Sequence, residues 1–192
     1  MKPRHVLATA GLLTMFLLGG CAGLWPEGAE PPRMVDFGPE ADYGSEPPLQ
    51  RPVRLARVHA PSWLEGNEIH YRDLSRQPHL LSSYGRHVWL AAPTELLGEE
   101  IDALLEARAA DDRAGARLEI RLTRFEQVIE DQENAHVRAR MTAVLERDGE
   151  RRRQVFTEQR AVTPDISGAR EGLPQAGRAL VRQLGDWLAE EA

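Results

Sequence analysis

A strict alternation of apolar and polar side chains constrains the fold of this 192-residue chain more than any other feature. The apolar positions are Ala135, Val137, Ala139, Met141, Ala143 and Leu145, with polar residues such as His136, Arg138, Arg140 and Thr142 between them. A period of two predicts a strand with one buried face and one wet face. Asp148-Gly149 follows directly and predicts a tight hairpin.

The stretches on either side of this strand predict two partners for it. Leu118, Ile120 and Leu122 alternate with polar residues, and a return strand is expected from about Arg152 to Val162. Three successive strands without intervening helices predict an antiparallel meander.

Three shorter strands are predicted earlier in the chain. The first runs from Val53 to about His59, the second contains Ile69 and Tyr71, and the third runs from His87 to Leu90 around Trp89. The sequence Ala60-Pro61-Ser62 breaks the first strand, and Gln77-Pro78 interrupts the chain after the second.

Two helices complete the prediction. Pro93 stands near a helix start, and Leu97, Ile101, Leu104 and Leu105 form one apolar stripe. The last helix is expected to begin after a Gly168 to Gly172 loop and to bury residues from Leu173 to Leu188. The predicted fold class is α+β, an antiparallel β-sheet with two α-helices packed on one face.

The amino-terminal segment predicts export and lipidation. Lys2 and Arg4 precede an uncharged apolar run from Val6 to Leu18, which is the layout of a secretory signal. Leu18-Gly19-Gly20-Cys21 then looks like a bacterial lipobox, in which the chain is cut before the cysteine and that cysteine is acylated. Residues 1–20 are therefore predicted to be a lipoprotein signal peptide, and Cys21, the sole cysteine, to be the lipidation site.

An uncleaved transmembrane anchor is the alternative, because no charge appears from Val6 through Trp25. Glycines interrupt this window, and its strongly apolar part ends at Leu18. The body is exported under either interpretation. Ala22 follows the cysteine where enteric lipoproteins kept in the inner membrane carry Asp, which favours a lipid anchor in the outer membrane that faces the periplasm.

Residues 21–51 are interpreted as the lipidated cysteine and a Pro-rich tether, and residues 52–192 as the folded domain. The tether holds six of the thirteen prolines and more acidic than basic residues, a composition that favours an extended linker. A short edge strand within it, around Met34 to Pro39, is the alternative to a plain linker.

Composition argues against several function classes. Without the signal, 22 arginines face 30 acidic residues, and this acidic balance disfavours nucleic acid as a partner. No Gly-x-Ser-x-Gly elbow, His-Glu-x-x-His motif or glycine-rich phosphate loop is present. We expect a non-enzymatic protein without a metal or other cofactor.

Two groups of residues are candidates for partner or lipid contact. Arg151, Arg152 and Arg153 cluster with Arg147 at the hairpin, where they are either a solvated tip or a site for anionic headgroups or an acidic partner. Aromatic residues cluster in the first third of the body, where they either pack in the core or line a groove. These aromatic residues are Trp63, Tyr71, Tyr84 and Trp89.

The order of several motifs resembles the ABC-type transport auxiliary lipoproteins, the family of the lipoprotein partner of paraquat-inducible, MCE-domain lipid transporters. The resemblance covers about residues 52 to 190. It rests on these features in sequence order: Ala60-Pro61-x-Trp63-Leu64, Ile69-x-Tyr71-Arg72, Leu80, Tyr84, Trp89, Pro93, Leu118-x-Ile120-x-Leu122 leading to Phe125, a long hairpin, and Trp187-Leu188. One departure is that many members begin with a Tyr-x-Leu strand, where this chain offers Asp36-Phe37-Gly38 or Tyr43-Gly44.

The resemblance implies a non-enzymatic auxiliary component, or adaptor, of a lipid transport system between the inner and outer membranes. Its implied partners are the membrane, through Cys21, and an MCE-domain protein that connects to a permease and an ATPase. A homo-oligomer is left open. The alternative function, from a different class, is a stand-alone structural or assembly lipoprotein of the cell envelope.

Overall fold

A computed structural model describes residues 30–39, 41–109 and 115–191, which form one mixed sheet and two α-helices. The elements in chain order are β1 (Arg33–Val35), β2 (Val53–His59), a 3-10 turn (Ser62–Leu64), β3 (Glu68–Asp73), β4 (Ser82–Trp89), α1 (Pro93–Ala107), β5 (Ala116–Ile129), β6 (Ala135–Arg147), β7 (Glu150–Val162) and α2 (Ile166–Glu191). The α+β class is confirmed. Among the helices of the described ranges, none is long and apolar enough to cross a membrane.

The predicted meander is formed by β5, β6 and β7, which pair in antiparallel fashion. The hairpin between β6 and β7 turns at Asp148 and Gly149, with φ angles of 51° and 84°. Two successive residues with positive φ give the turn whose twist matches paired strands. Glycine suits the second position because it has no Cβ to clash.

The other strand pairs differ from the purely antiparallel sheet that we expected. β1 pairs with β4, β2 with β5 and β3 with β5, all in parallel, and only β3 with β4 adds an antiparallel pair to the meander in the described sheet. The break at Pro61 does not reverse the chain. Instead β2 runs along the first half of β5 and β3 continues in the same direction along the second half.

Both helices cover one face of the sheet, as predicted. α1 packs on β2 and on α2, while α2 packs on β5, β6 and β7. The core between these layers contains fully buried residues from each of them, such as Ile101, Ile120, Met141 and Leu180. Burying such side chains is the main source of stability in a domain of this size.

The start of α2 lies earlier than we expected, because Gly168 and Gly172 belong to the helix. A Cβ on Gly172 would lie 2.6 Å from Val162 Cγ1 and 3.0 Å from Val137 Cγ1. Glycine at this position therefore allows the helix to approach the sheet closely. The glycines that suggested a loop are explained by packing.

The compact unit of the structure begins at Pro32, earlier than the boundary predicted at residue 52. Phe37, Tyr43 and Leu49 are buried in the core, and β1 is the edge strand that was the alternative to a plain linker. The Tyr43 hydroxyl donates a hydrogen bond of 2.6 Å to Glu100 Oε2. Burial, with a further contribution from Glu100, raises the pKa of Tyr43.

A second polar contact holds the same segment at the carboxyl end of α1. Arg108 is 1% exposed, and it donates to the carbonyl of Pro47 and to Glu46 Oε2, each at 2.8 Å. The buried core residues of the described ranges lie within the unit Pro32–Ala192, and we expect this unit to fold on its own.

Candidate functional site

The sheet has a covered face, which packs against the helices, and an uncovered face, which carries most of its charged side chains. Strand alternation and cross-strand register place the uncovered-face residues of β2, β5, β6 and β7 side by side. Its arginines include Arg54, Arg57, Arg117, Arg121, Arg124, Arg138, Arg140, Arg151 and Arg153, and its glutamates include Glu119, Glu126 and Glu146. The chain as a whole has a net charge of −6, so its positive charge is concentrated on this face and its negative charge lies mostly elsewhere.

Part of this face forms a concavity of about 500 Å³, which we call the arginine groove. Four strands contribute to it. The lining residues are Arg57 and His59 from β2, Glu119, Arg121, Thr123 and Arg124 from β5, Arg140, Thr142 and Val144 from β6, and Arg153 from β7.

The arginines of the groove differ in how they are neutralised. Arg57 forms an ion pair of 3.2 Å with Glu119, and side-chain hydrogen bonds from Arg117 and Arg57 lower the pKa of Glu119. Arg121, Arg140 and Arg153 are exposed, and no carboxylate of the described residues forms an ion pair with them. The groove therefore holds three positive charges without a partner in the described chain.

Strand register places further basic side chains close together at this site. Arg124 stands directly opposite Arg140, and Arg121 is a neighbour of His59. Like charges directly opposite each other destabilise a sheet. The Nδ1 atom of His59 is buried and has no hydrogen-bond partner in the described part of the chain. This arrangement of basic side chains favours the binding of an anion in the groove.

A buried carboxylate lies next to the groove on the same face. The side chain of Glu126 is 0% exposed, and its Oε1 accepts a hydrogen bond of 2.5 Å from Arg138 Nη2. Arg72 and Arg124 approach the same carboxylate at 3.5 and 3.8 Å. A β-bulge between Leu122 and Arg124 shifts the alternation of β5 and turns Glu126 toward this face.

The four arginines predicted at the hairpin are divided between the two faces. Arg147 and Arg152 lie on the covered side and reach the end of α2, where Arg147 donates to the Glu191 carbonyl at 3.1 Å. Arg151 and Arg153 lie on the uncovered face, and Arg153 lines the groove. The cluster in sequence is thus not one cluster in space.

The predicted aromatic residues do not form one groove either. Trp89 is 1% exposed and its ring centroid lies 5.5 Å from that of Phe125 in the core. Trp63 packs edge-on against His70 at 5.5 Å. Tyr71 and Tyr84 pack against each other at 4.6 Å.

The structure gives the Tyr84 hydroxyl a structural partner. It donates to Gln127, whose amide in turn donates to the carbonyls of Thr163 and Asp165. Burial raises the pKa of Tyr84. This network connects β4 and β5 to the start of α2.

Two further expectations concern other parts of the molecule. Cys21 and the predicted signal peptide lie outside the described residues. Within the described ranges, no group of three or more His, Cys, Asp or Glu side chains is placed to hold a metal ion.

The arginine groove was not predicted as a site. The sequence did indicate that Arg138, Arg140 and Thr142 would face water. It could not indicate that β2 lies beside β5, which brings Arg57 and His59 to the same place.

Comparisons with known proteins show the fold. The chain is similar to a crystal structure of a Xanthomonas campestris protein of the family DUF330, with a TM-score of 0.66 and 21% identity over 83% of this chain and 93% of that one. It is also similar to the structure of an uncharacterized protein, with a TM-score of 0.58 and 16% identity over 84% of this chain and 99% of that one. No protein-family model matches the sequence, and no curated protein matches it.

A third solved structure, of a lipoprotein candidate from Caulobacter crescentus CB15, has a TM-score of 0.38 and 18% identity over 51% of this chain and 81% of that one. This similarity is too low to establish a shared fold. At the identities of the first two structures, the likeness concerns the fold, which is the α+β architecture described above.

Proposed function

We propose that this chain is a lipid-anchored, non-enzymatic adaptor of an MCE-type ABC lipid transport system, located at the outer membrane and facing the periplasm. The observation that carries the proposal is the lipobox-like run Leu18-Gly19-Gly20-Cys21 placed shortly before the folded unit that begins at Pro32. The transport role is supported by the order of motifs that resembles the auxiliary lipoproteins.

The positions of those motifs in the fold are consistent with this proposal. Ala60 to Leu64 forms the turn that carries the chain from β2 to β3, and Pro93 begins α1. The sheet and both helices share one continuous core, so the folded unit is a rigid body. A rigid body on a lipid anchor suits an adaptor that holds a partner near a membrane.

The edge of the sheet beside β1 is a candidate contact surface for a protein partner. Met34 and Leu90 are 68% and 57% exposed, and the two segments are joined by a hydrogen bond of 2.7 Å from Leu90 N to the Val35 carbonyl. Large exposed apolar side chains at a short edge strand are typical of contact sites.

Site-specific photocrosslinking tests the proposal. A photoreactive residue at position 90 in the full chain should capture an MCE-domain protein in cells, whereas the same residue at the exposed position Gln159 on the uncovered face should not. Cys21→Ser should release the chain from the membrane while the body stays folded. Recovery of the chain with no MCE-domain protein from either position would favour the stand-alone envelope lipoprotein, and function that survives release by Cys21→Ser would refute the anchoring role.

A further inference from the structure

The arginine groove has the charge of an anion-binding site and the donor groups of a phosphate site. Arg121, Arg140 and Arg153 present guanidinium groups that no described carboxylate neutralises, and Thr142 lines the same concavity. Guanidinium forks match the geometry of phosphate oxygens, and a hydroxyl adds a single donor.

Phosphate on a lipid is the source that fits the rest of the chain. The segment between Cys21 and Pro32 can extend over at most about 40 Å. If Cys21 is acylated, as we proposed above, the body is always within that distance of phospholipid headgroups. The charge of the groove does not depend on this anchoring, which bears only on the choice of lipid as the source of the phosphate.

We propose that the arginine groove binds the phosphate-bearing headgroup of an anionic phospholipid. Arg121 and Arg140 hold the phosphate from two adjacent strands, and Arg153 adds a third cation from β7. The binding places an anion beside Arg140, which stands opposite Arg124 and, unlike Arg124, has no carboxylate partner among the described residues. Apolar contact with the acyl chains is not required.

Vesicle flotation with the unit Pro32–Ala192 tests this proposal, because the unit lacks Cys21 and cannot be held by an acyl chain. We expect it to float with vesicles that contain phosphatidylglycerol and not with pure phosphatidylcholine vesicles. The binding should weaken as salt is added, since exposed charges are screened.

The decisive variant is Arg121→Gln combined with Arg140→Gln. It should weaken binding to the anionic vesicles roughly thirtyfold, because each arginine near an anionic surface contributes about fivefold. The matched control, Arg170→Gln combined with Arg182→Gln, removes the same charge from exposed positions of α2 and should change binding less than about twofold. Thermal unfolding should show that both variants keep the fold.

The variant Arg121→Lys combined with Arg140→Lys keeps the charge and loses the forks, so it should bind measurably more weakly than the original chain. Equal losses in the groove variant and the α2 control would overturn the proposal, as would undiminished binding by the lysine variant. Binding to inorganic phosphate or to polyglutamate without binding to the anionic vesicles would also overturn it. No MCE-domain protein is present in the flotation assay. A negative result there would therefore refute headgroup binding and leave the proposed transport role untouched.

Discussion

The two faces of β6 show how one alternating strand serves two purposes. Val137, Ala139 and Met141 are 0% exposed and lie under the helices. Arg138 and Arg140, which alternate with them, lie on the uncovered face beside the arginines of β5 and β7. The covered face provides the burial that stabilises the fold, and the uncovered face keeps cations at a surface that neither α1 nor α2 covers. Stability and binding are thus assigned to opposite sides of the same backbone.

Positive and negative charges are also separated between the two layers of the folded unit. The exposed carboxylates of α1 lie on the helix layer, including Glu95, Glu99, Asp102 and Glu106. Burial and the nearby Glu106 raise the pKa of Asp102. The uncovered face of the sheet is cationic and α1 is anionic, so the charge of the folded unit is unevenly distributed. An anionic surface would attract one side and repel the other.

The largest expected effect compares valine truncations on the two faces of β6. Val137→Ala should lower the free energy of unfolding by about 2–3 kcal/mol, because it removes two buried methyl groups and leaves a cavity. These two methyl groups are the atoms of Val137 that α2 packs against, since a Cβ built on Gly172 would lie 3.0 and 3.1 Å from them. Urea unfolding monitored by circular dichroism measures the change.

Val144→Ala is the matched control, because it makes the same chemical change on the uncovered face of the same strand. Its cost should be below about 1 kcal/mol, the range set by strand propensity alone. Equal costs at the two positions would mean that the uncovered face is covered in solution, and would contradict the comparison of the two faces.

A smaller effect is expected where the uncovered face contains a buried charge. Glu126→Gln should lower the free energy of unfolding by about 2 kcal/mol, since it leaves Arg138 and its neighbours without the carboxylate between them. The matched control is Glu146→Gln on the same face, where the carboxylate is 48% exposed and 4.0 Å from Arg151. Exposed pairs of this kind contribute less than about 1 kcal/mol.

The same urea measurements distinguish the two glutamates. If both substitutions cost the same, then Glu126 is as well solvated as Glu146 and its three arginines do not form a buried cluster. If Glu126→Gln changes neither the free energy of unfolding nor the binding to vesicles, then Glu126 and its three arginines have no role in either property.

The elements that the sequence predicted are those whose signals are local. The alternation in β6 and the Asp148-Gly149 turn each act over a few residues, and both are found where expected. The parallel pairing of β2 and β3 with β5 was not predicted, because alternation determines which face a side chain occupies and leaves strand direction undetermined. The groove escaped prediction for the same reason, since its residues come from strands far apart in the chain.

Two errors came from residues whose usual meaning is overridden by tertiary contacts. Gly168 and Gly172 suggest a loop in the sequence, whereas close packing of α2 on the sheet requires a residue without a side chain at 172. The prolines between residues 31 and 48 suggest a free tether, yet Phe37, Tyr43 and Leu49 in the same segment are buried. Isolated apolar residues show no periodicity, so the sequence does not reveal that they belong to the core.

The smallest effect concerns the beginning of α2, the helix that separates the covered face from water. Asp165 caps this helix by accepting a hydrogen bond of 3.0 Å from Gly168 N and another of 2.8 Å from Thr163 Oγ1. The bond from Gly168, followed by that from Thr163, lowers the pKa of Asp165 below its ordinary value. The stabilisation is therefore complete above the unfolded-state pKa of about 3.9 and is lost as the pH falls through the lower pKa of the folded state.

Asp165→Asn keeps an oxygen that can cap the helix and removes the titration, so it isolates the charge. At neutral pH the original chain should be more stable than this variant by about 0.5 kcal/mol, the contribution of an anion at an exposed helix start. The difference should shrink below about pH 4, whereas Asp165→Ala should cost about 1 kcal/mol at neutral pH because no cap remains. Urea unfolding over a series of pH values tests this. A stability difference between the original chain and the Asp165→Asn variant that does not change with pH would show that the carboxylate charge has no part in holding α2 over the sheet.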